Sequence, residues 1–359
     1  GQIVELAQQR HLEVIAEAWD LWGFEVGNFP DGWAEWNGRY RDAMRDFLRG
    51  MGSAQAFMAM MNGDFDHFAD QGGPQQSVNF LTAHDGFTLA DLMSYNEKSN
   101  GHPYPFGPSD GGNDSNSSWD SGGDAALRRQ RIRNAIAVLM LSRGVPMIVA
   151  GDEYGRTQNG NNNPWAIDSV GVWNNWAQVV SHAPHQAAVD PDQADADAHG
   201  AHYHDNLGVA PTGQDVNPVF RFAVAMMRLR HEHPALRQRH YGDDSRGGDD
   251  VSYLFRSVDG HGDPEPHARA LEVFIDAAGA ASPDSERAND LLVLINMWHD
   301  DVEFALPAPH TGKWRRIADT AARSEEYCNA WAAAQAQILT DSHTVPAWSV
   351  TVLRGGGGV

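Results

Sequence analysis

Asn79-Phe-Leu-Thr-Ala-His-Asp-Gly-Phe87 is the stretch whose reading decides the fold. Phe80, Leu81 and Ala83 form a short apolar run that closes on Gly86, and its brevity predicts a buried strand rather than a helix. His84 and Asp85 then stand at the mouth of that strand. A charged pair in such a place is costly unless it is hydrogen-bonded or used. In a (β/α)8 barrel that mouth is the catalytic face. A plainer reading makes Asp85 a capping residue, because Thr88 to Leu92 could begin a helix. One short motif does not choose between them.

The neighbouring segments repeat the pattern. Leu12 to Ala16 is a compact apolar run that ends in Glu17, Trp19 and Asp20. Taken alone, Glu17 also reads as an exposed loop acid. Gly32 to Trp36 is a short strand-like piece, and Val145 to Ala150 reads as a further buried strand ending in Gly151-Asp152-Glu153. Helices separate these runs. Tyr40, Ala43, Met44, Phe47, Leu48 and Met51 recur at helical spacing until Gly50 and Gly52 stop them. Ala54 to Met61 is a short Met-rich helix, of the kind that fills a core. Ala125 to Leu141 predicts an amphipathic helix, with Leu127, Ile132, Ile136, Leu139 and Met140 inward. Its Arg128, Arg129, Arg131 and Arg133 form an expected solvated face. Asn217 to Arg230 is helical again, and Pro234 ends it. Strands that close on acids and alternate with helices describe successive β/α units.

Between these units lie polar loops. One spans Asn96 to Asp124, and its Pro103-Tyr104-Pro105-Phe106 segment suits a groove lining. Gly160-Asn161-Asn162-Asn163-Pro164 carries amides suited to hydrogen-bonding hydroxyls. Residues 179–214 turn to Ala, Asp and His. The histidines His182, His185, His199, His202 and His204 there read as solvated composition rather than as a metal site. Beyond Tyr241 the pattern changes. Val251–Phe255, Ala270–Ile275, Leu291–Met297, Val302–Leu306, Trp314–Ala318 and Ser349–Arg354 are short strands broken by Gly, Pro and Asp, and predict a β-sandwich of roughly 110 residues. The expected organisation is an α/β part over 1–245 and a sandwich over 246–359.

The composition bounds the function. With 359 residues, 42% hydrophobic content and 12 Trp, the chain can fold around a large core. A net charge of -22 repels a nucleic-acid backbone or an anionic membrane, so neither is an expected partner; a neutral ligand suits that field. Of the 26 basic residues only Lys98 and Lys313 are lysine. Cys328 is the sole cysteine, so no internal disulfide forms. No run of about 18 apolar residues is present. The start, Gly-Gln-Ile-Val-Glu, has neither an initiator Met nor a signal-peptide pattern, and reads as the middle of a longer chain.

Several segments together resemble isoamylase and related bacterial glycogen debranching enzymes of the α-amylase superfamily. They are Ile15-Ala-Glu-Ala-Trp-Asp20, Val26-Gly-Asn-Phe-Pro30, Trp33-Ala-Glu-Trp-Asn37, Thr82-Ala-His-Asp-Gly86, Pro105-Phe-Gly-Pro-Ser-Asp-Gly-Gly112, Ser118-Trp-Asp120, Gly151-Asp-Glu153 and Gly160-Asn-Asn-Asn163. The likeness runs in order through residues 12 to 240. It implies the second half of a (β/α)8 barrel, strands five to eight, followed by an antiparallel sandwich. It also implies hydrolysis of α-1,6 branch linkages in glycogen or amylopectin with retention at the anomeric carbon. Glu17 matches the family's general acid/base, Asp85 its transition-state-stabilising aspartate, and His84 a histidine that bonds the sugar. Trp19, Asn161, Asn162 and Asn163 align with substrate-facing positions, while Asp152 and Glu153 match residues that hold the barrel mouth.

The chemistry of glycosidic cleavage agrees, since one carboxyl must donate a proton while another stays ionised. Trp19 beside Glu17 suggests a desolvated acid that favours its protonated form. A retaining mechanism also needs a carboxylate nucleophile, which the family carries on the strand before the Glu17 strand. Gly1 to His11 contains no Asp, and Asp20 is ill placed to substitute. The expectation is therefore a carboxyl-terminal portion, inactive alone, with two open strand edges. Competing readings are an α-1,4-acting hydrolase or transglycosylase of the same superfamily, and a non-catalytic glycan-binding subunit. No cofactor or metal is expected, and a glycogen substrate would suggest a cytoplasmic enzyme.

Overall fold

A computed structural model describes residues 2–20, 22–169, 171–180, 215–241, 251–277 and 289–356. The five histidines of the 179–214 loop and the expected boundary at 245 lie outside the described residues.

Four short strands hydrogen-bond in sequence order and all run parallel: β1 (Ile15–Ala16), β2 (Ala34–Trp36), β3 (Ser77–Asn79) and β4 (Val145–Pro146). Parallel neighbours need long crossovers, and helices fill most of them here. Helix α1 (Gln2–Arg10) precedes β1. Helices α2 (Gly38–Leu48), α3 (Ala54–Met61) and α4 (Phe65–Phe68) lie between β2 and β3. Helices α5 (Leu89–Leu92) and α6 (Ala125–Leu141) lie between β3 and β4, and α7 (Pro218–Glu232) follows β4. The β1–β2 crossover, residues 17–33, is a loop. Local chemistry explains the helix starts. Asn37 accepts a hydrogen bond from the Tyr40 N–H at the head of α2, and Tyr40, Met44, Phe47 and Leu48 share its buried face. Ser53 and Asp124 cap α3 and α6 in the same way.

The rest of the chain is antiparallel. Strands β5 (Ser252–Arg256), β6 (Ala270–Asp276), β7 (Leu291–Asn296), β8 (Val302–Ala305), β9 (Trp314–Asp319), β10 (Ile338–Leu339), β11 (Ser342–Val345) and β12 (Ser349–Arg354) form two sheets. The larger has the order β10-β9-β12-β7-β6-β5, and β11 pairs with β8 in the smaller. Phe274, Leu292, Leu294, Phe304, Trp314 and Leu353 make up a core on one face of the large sheet. Its other face joins a continuous core that reaches from Val273, Val293 and Val350 through α6 to Tyr40 and Phe47. The expected class, half of a barrel followed by a sandwich, is the one found. Each of the six strands expected beyond Tyr241 is present within about two residues; β10 and β11 are additions.

Three expectations need correction. The strand expected from Phe80, Leu81 and Ala83 ends earlier, at Asn79. Phe80 and Leu81 are still buried, but the Leu81 carbonyl and the Thr82 hydroxyl bond to other elements, which takes the backbone off the ladder. Val145 to Ala150 is not a buried strand: only Val145–Pro146 pair, and Val145 is 42% exposed because β4 is an outer strand among the described residues. The arginines of α6 are not solvated. Arg128, Arg129, Arg131 and Arg133 are all buried, and Arg129 and Arg133 both pair with Glu325 at 2.7 Å.

Candidate active site

In a parallel sheet all carboxyl ends point the same way, and open α/β folds place ligands there. Glu17 follows directly on β1 and is exposed. His84 and Asp85 are also exposed, on the loop that leaves β3. A row of aromatic rings connects the two places. Trp19 lies 6.3 Å from Phe80, Phe80 lies 5.8 Å from Trp36, and Trp36 lies 5.8 Å from the His84 imidazole. The row thus crosses from the end of β1 over β2 to the β3 loop.

Each end of the row is braced. Asp20 accepts from the N–H groups of Trp22 (2.7 Å) and Gly23 (2.9 Å), so this carboxylate is engaged in closing its own turn. The alternative capping role for Asp85 is filled by Thr88, whose hydroxyl accepts from the Asp91 N–H at the start of α5. On the β3 side, Thr82 Oγ1 donates to Asp152 at 2.5 Å and the Leu89 N–H donates to the same carboxylate at 2.8 Å. Burial outweighs those bonds and pushes the Asp152 carboxyl up to about 6. Gly86 has φ +107, which only glycine adopts without strain, and its N–H donates to the Asn162 carbonyl at 2.9 Å.

The structure brings Glu17, Trp19, His84 and Asp85 to one end of the sheet but gives the asparagines another task. Asn161 and Asn162 are fully buried. The Asn161 amide donates to the Phe106 carbonyl and accepts from Ser109; that of Asn162 donates to Asn113 and Asn116 and accepts from Asn100. Asn163 is half-buried and donates to the Asp110 carbonyl at 2.5 Å. Their amides fold the 100–116 loop instead of facing outward, because a buried amide must find partners within the protein. The desolvation expected at Glu17 is not supplied either. Glu17 is exposed, and the Trp19 ring stacks on Phe24 and Phe80.

Sequence reasoning missed Glu35, the central residue of β2. It is fully buried, and its carboxylate accepts from the N–H groups of Gly27 (2.8 Å) and Phe29 (3.3 Å). It therefore ties down the loop that begins at Glu17, and burial raises its pKa. A charge inside a three-residue strand was the available signal. Among the described residues, Asp276, Asp290 and His310 gather closely enough to hold a metal ion, but they lie in the sandwich. His310 already donates its backbone N–H (2.7 Å) to Asp290 and has Nδ1 3.0 Å from the same oxygen, which accounts for the cluster without an ion.

Residues 259–352 match the family described as Isoamylase, C-terminal. An isoamylase from a Flavobacterium species is 40% identical over 321 residues, which are 87% of this chain and 37% of that protein. A glycogen operon protein GlgX homolog from Mycobacterium tuberculosis is 34% identical over 375 residues, 96% of this chain and 45% of that protein. Along most of its length the chain is similar to isoamylases, and its carboxyl-terminal part matches their terminal domain. It spans less than half the length of these curated relatives. Among solved structures, apo pullulanase from Klebsiella pneumoniae aligns with 99% of the chain and 42% of its own, with a TM-score of 0.63 at 16% identity. A type I pullulanase from Bacillus subtilis, solved with maltose, has a TM-score of 0.58 at 19% identity. At such identities the likeness concerns the fold alone.

Proposed function

We propose that this isoamylase-like chain is the carboxyl-terminal portion of a debranching glycoside hydrolase that cleaves α-1,6 linkages in glycogen- or amylopectin-type glucans with retention. In this reading Glu17 protonates the leaving oxygen and later activates water, Asp85 stabilises positive charge on the sugar ring, and His84 bonds the sugar between them. Trp19 lines the wall on the Glu17 side. The observation that carries the reading is that two exposed acids follow the parallel strands β1 and β3 at the same end of the sheet, with the Trp19–Phe80–Trp36–His84 row between those strand ends.

Two exposed carboxylates beside the half-buried Trp19 and Trp36 rings suit a neutral polyhydroxylated ligand, and the net charge of -22 disfavours anionic ones. Retention requires a nucleophilic carboxylate about 5–5.5 Å from the acid. In this proposal it comes from a polypeptide segment beyond these 359 residues, which would also pair with the outer strands β1 and β4. The isolated chain is then inactive.

The test is release of reducing ends and linear chains from amylopectin, comparing the isolated chain, the full-length polypeptide and its Glu17→Gln variant. The full-length protein should debranch, and the variant should lose roughly 10²- to 10⁴-fold in kcat, the usual cost of removing a general acid. Activity of the isolated chain would refute the missing-nucleophile part. Products shorter than whole branches would favour an α-1,4-acting enzyme, and binding without hydrolysis a glycan-binding subunit.

A further inference from the structure

We propose that Arg45 is a positioning residue for this site, clamping the loop that carries His84 and Asp85 to helix α2. The inference deepens the debranching reading and rests on it for its catalytic meaning, but the clamp itself can be tested separately.

Arg45 lies on the third turn of α2 and is half-buried. Its Nε donates to the Leu81 carbonyl at 2.7 Å, where the chain has just left β3. Its Nη1 donates to the Asn116 carbonyl at 2.9 Å, in the loop that precedes α6. Asn116 in turn accepts from the Asn162 side chain at 3.2 Å, and the Asn162 carbonyl accepts from the Gly86 N–H at 2.9 Å. The contacts therefore close a circuit from Arg45 through Asn116 and Asn162 to Gly86, and back along the chain to Leu81. The segment 82–86 forms one side of that circuit, and its exposed residues are His84 and Asp85. Both ends of the segment are thus fixed, with the Thr82–Asp152 bond as a second brace near its start.

The residue type matters. A guanidinium presents several N–H groups in a rigid fork, so one side chain can address two carbonyls on different loops; an ammonium on a flexible stem holds them less well. The support is firm, because the Phe47 ring of α2 stacks on Phe57 of α3 with centroids 4.1 Å apart. The charges facing Arg45 come from three elements. Arg41 and Asp42 share its helix, Asp85 lies on the clamped loop, and Asp152 follows β4. Burial first, and then Arg41, push the Arg45 guanidinium down to about 10, which leaves it cationic at neutral pH.

Two measurements test the clamp. In the 359-residue chain, hydrogen–deuterium exchange would be followed in peptides covering 79–87 and 112–118, with β7 and β12 as internal controls. Arg45→Met should speed exchange at 82–86 by roughly tenfold or more while β7 and β12 stay protected, with Arg45→Lys intermediate. Unchanged exchange at 82–86, or equal acceleration in β7 and β12, overturns the inference. In the full-length polypeptide, Arg45→Met should lower kcat on amylopectin by about 10²-fold, the cost of a misplaced reacting group, with KM within about twofold. Wild-type kcat in Arg45→Met would overturn the positioning role while leaving the debranching reading intact. An inactive wild type would sink the debranching reading, and the exchange result would still decide the clamp.

Discussion

Glu272 sits within β6 with no exposed surface, and neither carboxylate oxygen has a hydrogen-bond partner. The Arg256 guanidinium, directly opposite on β5, comes no closer than 3.7 Å. Burial therefore dominates over that attraction and pushes the Glu272 carboxyl up to about 7. The folded state then holds this proton more tightly than the unfolded chain does. Its contribution to stability is complete at low pH and is lost as pH rises from about 4.5 to 7. Glu272→Gln removes the titration at nearly constant shape. Relative to the parent, its Tm should rise progressively between pH 5 and pH 8; a constant difference across that range would refute the assignment. At this scale the sequence was informative where chemistry and position coincide. Glu17, His84 and Asp85 stand at the ends of apolar runs, and a charged group there is either used or paired. It was uninformative where a side chain's partner decides its role. Nothing local distinguishes an amide that faces solvent from one, like Asn162, that binds Asn100, Asn113 and Asn116.

The same lesson recurs in α6, where four arginines mimic a wet face. Arg133 is fully buried; it donates to the Thr320 carbonyl at 2.8 Å and to Glu325 at 2.7 Å, and Arg129 grips the same carboxylate with both Nε and Nη2. The partner is nearly two hundred residues away, so no helical periodicity could reveal it. By contrast β7, Leu-Leu-Val-Leu-Ile-Asn, was legible because both of its faces are buried and it needs no alternation. The two-residue β10 and the polar, largely exposed β11 carried too little pattern to be seen. Burial raises the pKa of Glu325, but the paired arginines overcome it and hold the carboxyl below its usual range. Its contribution is therefore present above the ordinary carboxylate range and is lost as pH falls through the lowered folded value. Glu325→Ala would remove the carboxylate that two buried guanidinium groups share. The expected loss is about 3–5 kcal/mol at neutral pH, read from urea unfolding. A loss under about 1 kcal/mol would mean that the pair is no stronger than a surface contact.

Across the whole molecule, the parallel sheet has two outer strands, β1 and β4, each lacking a neighbour on one side among the described residues. Ile15 on β1 is 53% exposed and Val145 on β4 is 42% exposed. Open edges beside apolar side chains are templates for pairing. The 359-residue chain should associate as its concentration rises, and Ile15→Lys or Val145→Lys should suppress this, as read by light scattering. Unaltered association in both variants would exclude the edges as its cause. The succession of β/α units was legible in the sequence because its apolar runs close on acids, whereas the half barrel followed from the resemblance to debranching enzymes. The union of the α/β part with the sandwich was not legible, since that depends on what α6 touches. Gln130, Arg133 and Asn134 of α6 hydrogen-bond to Trp348, Thr320 and Ala322 across the join. A graft that transplants only the terminal β-rich module from one homologue into another therefore severs matched polar contacts as well as packing. Chimaeras whose crossover lies before residue 124, so that helix and module travel together, would keep their native fit.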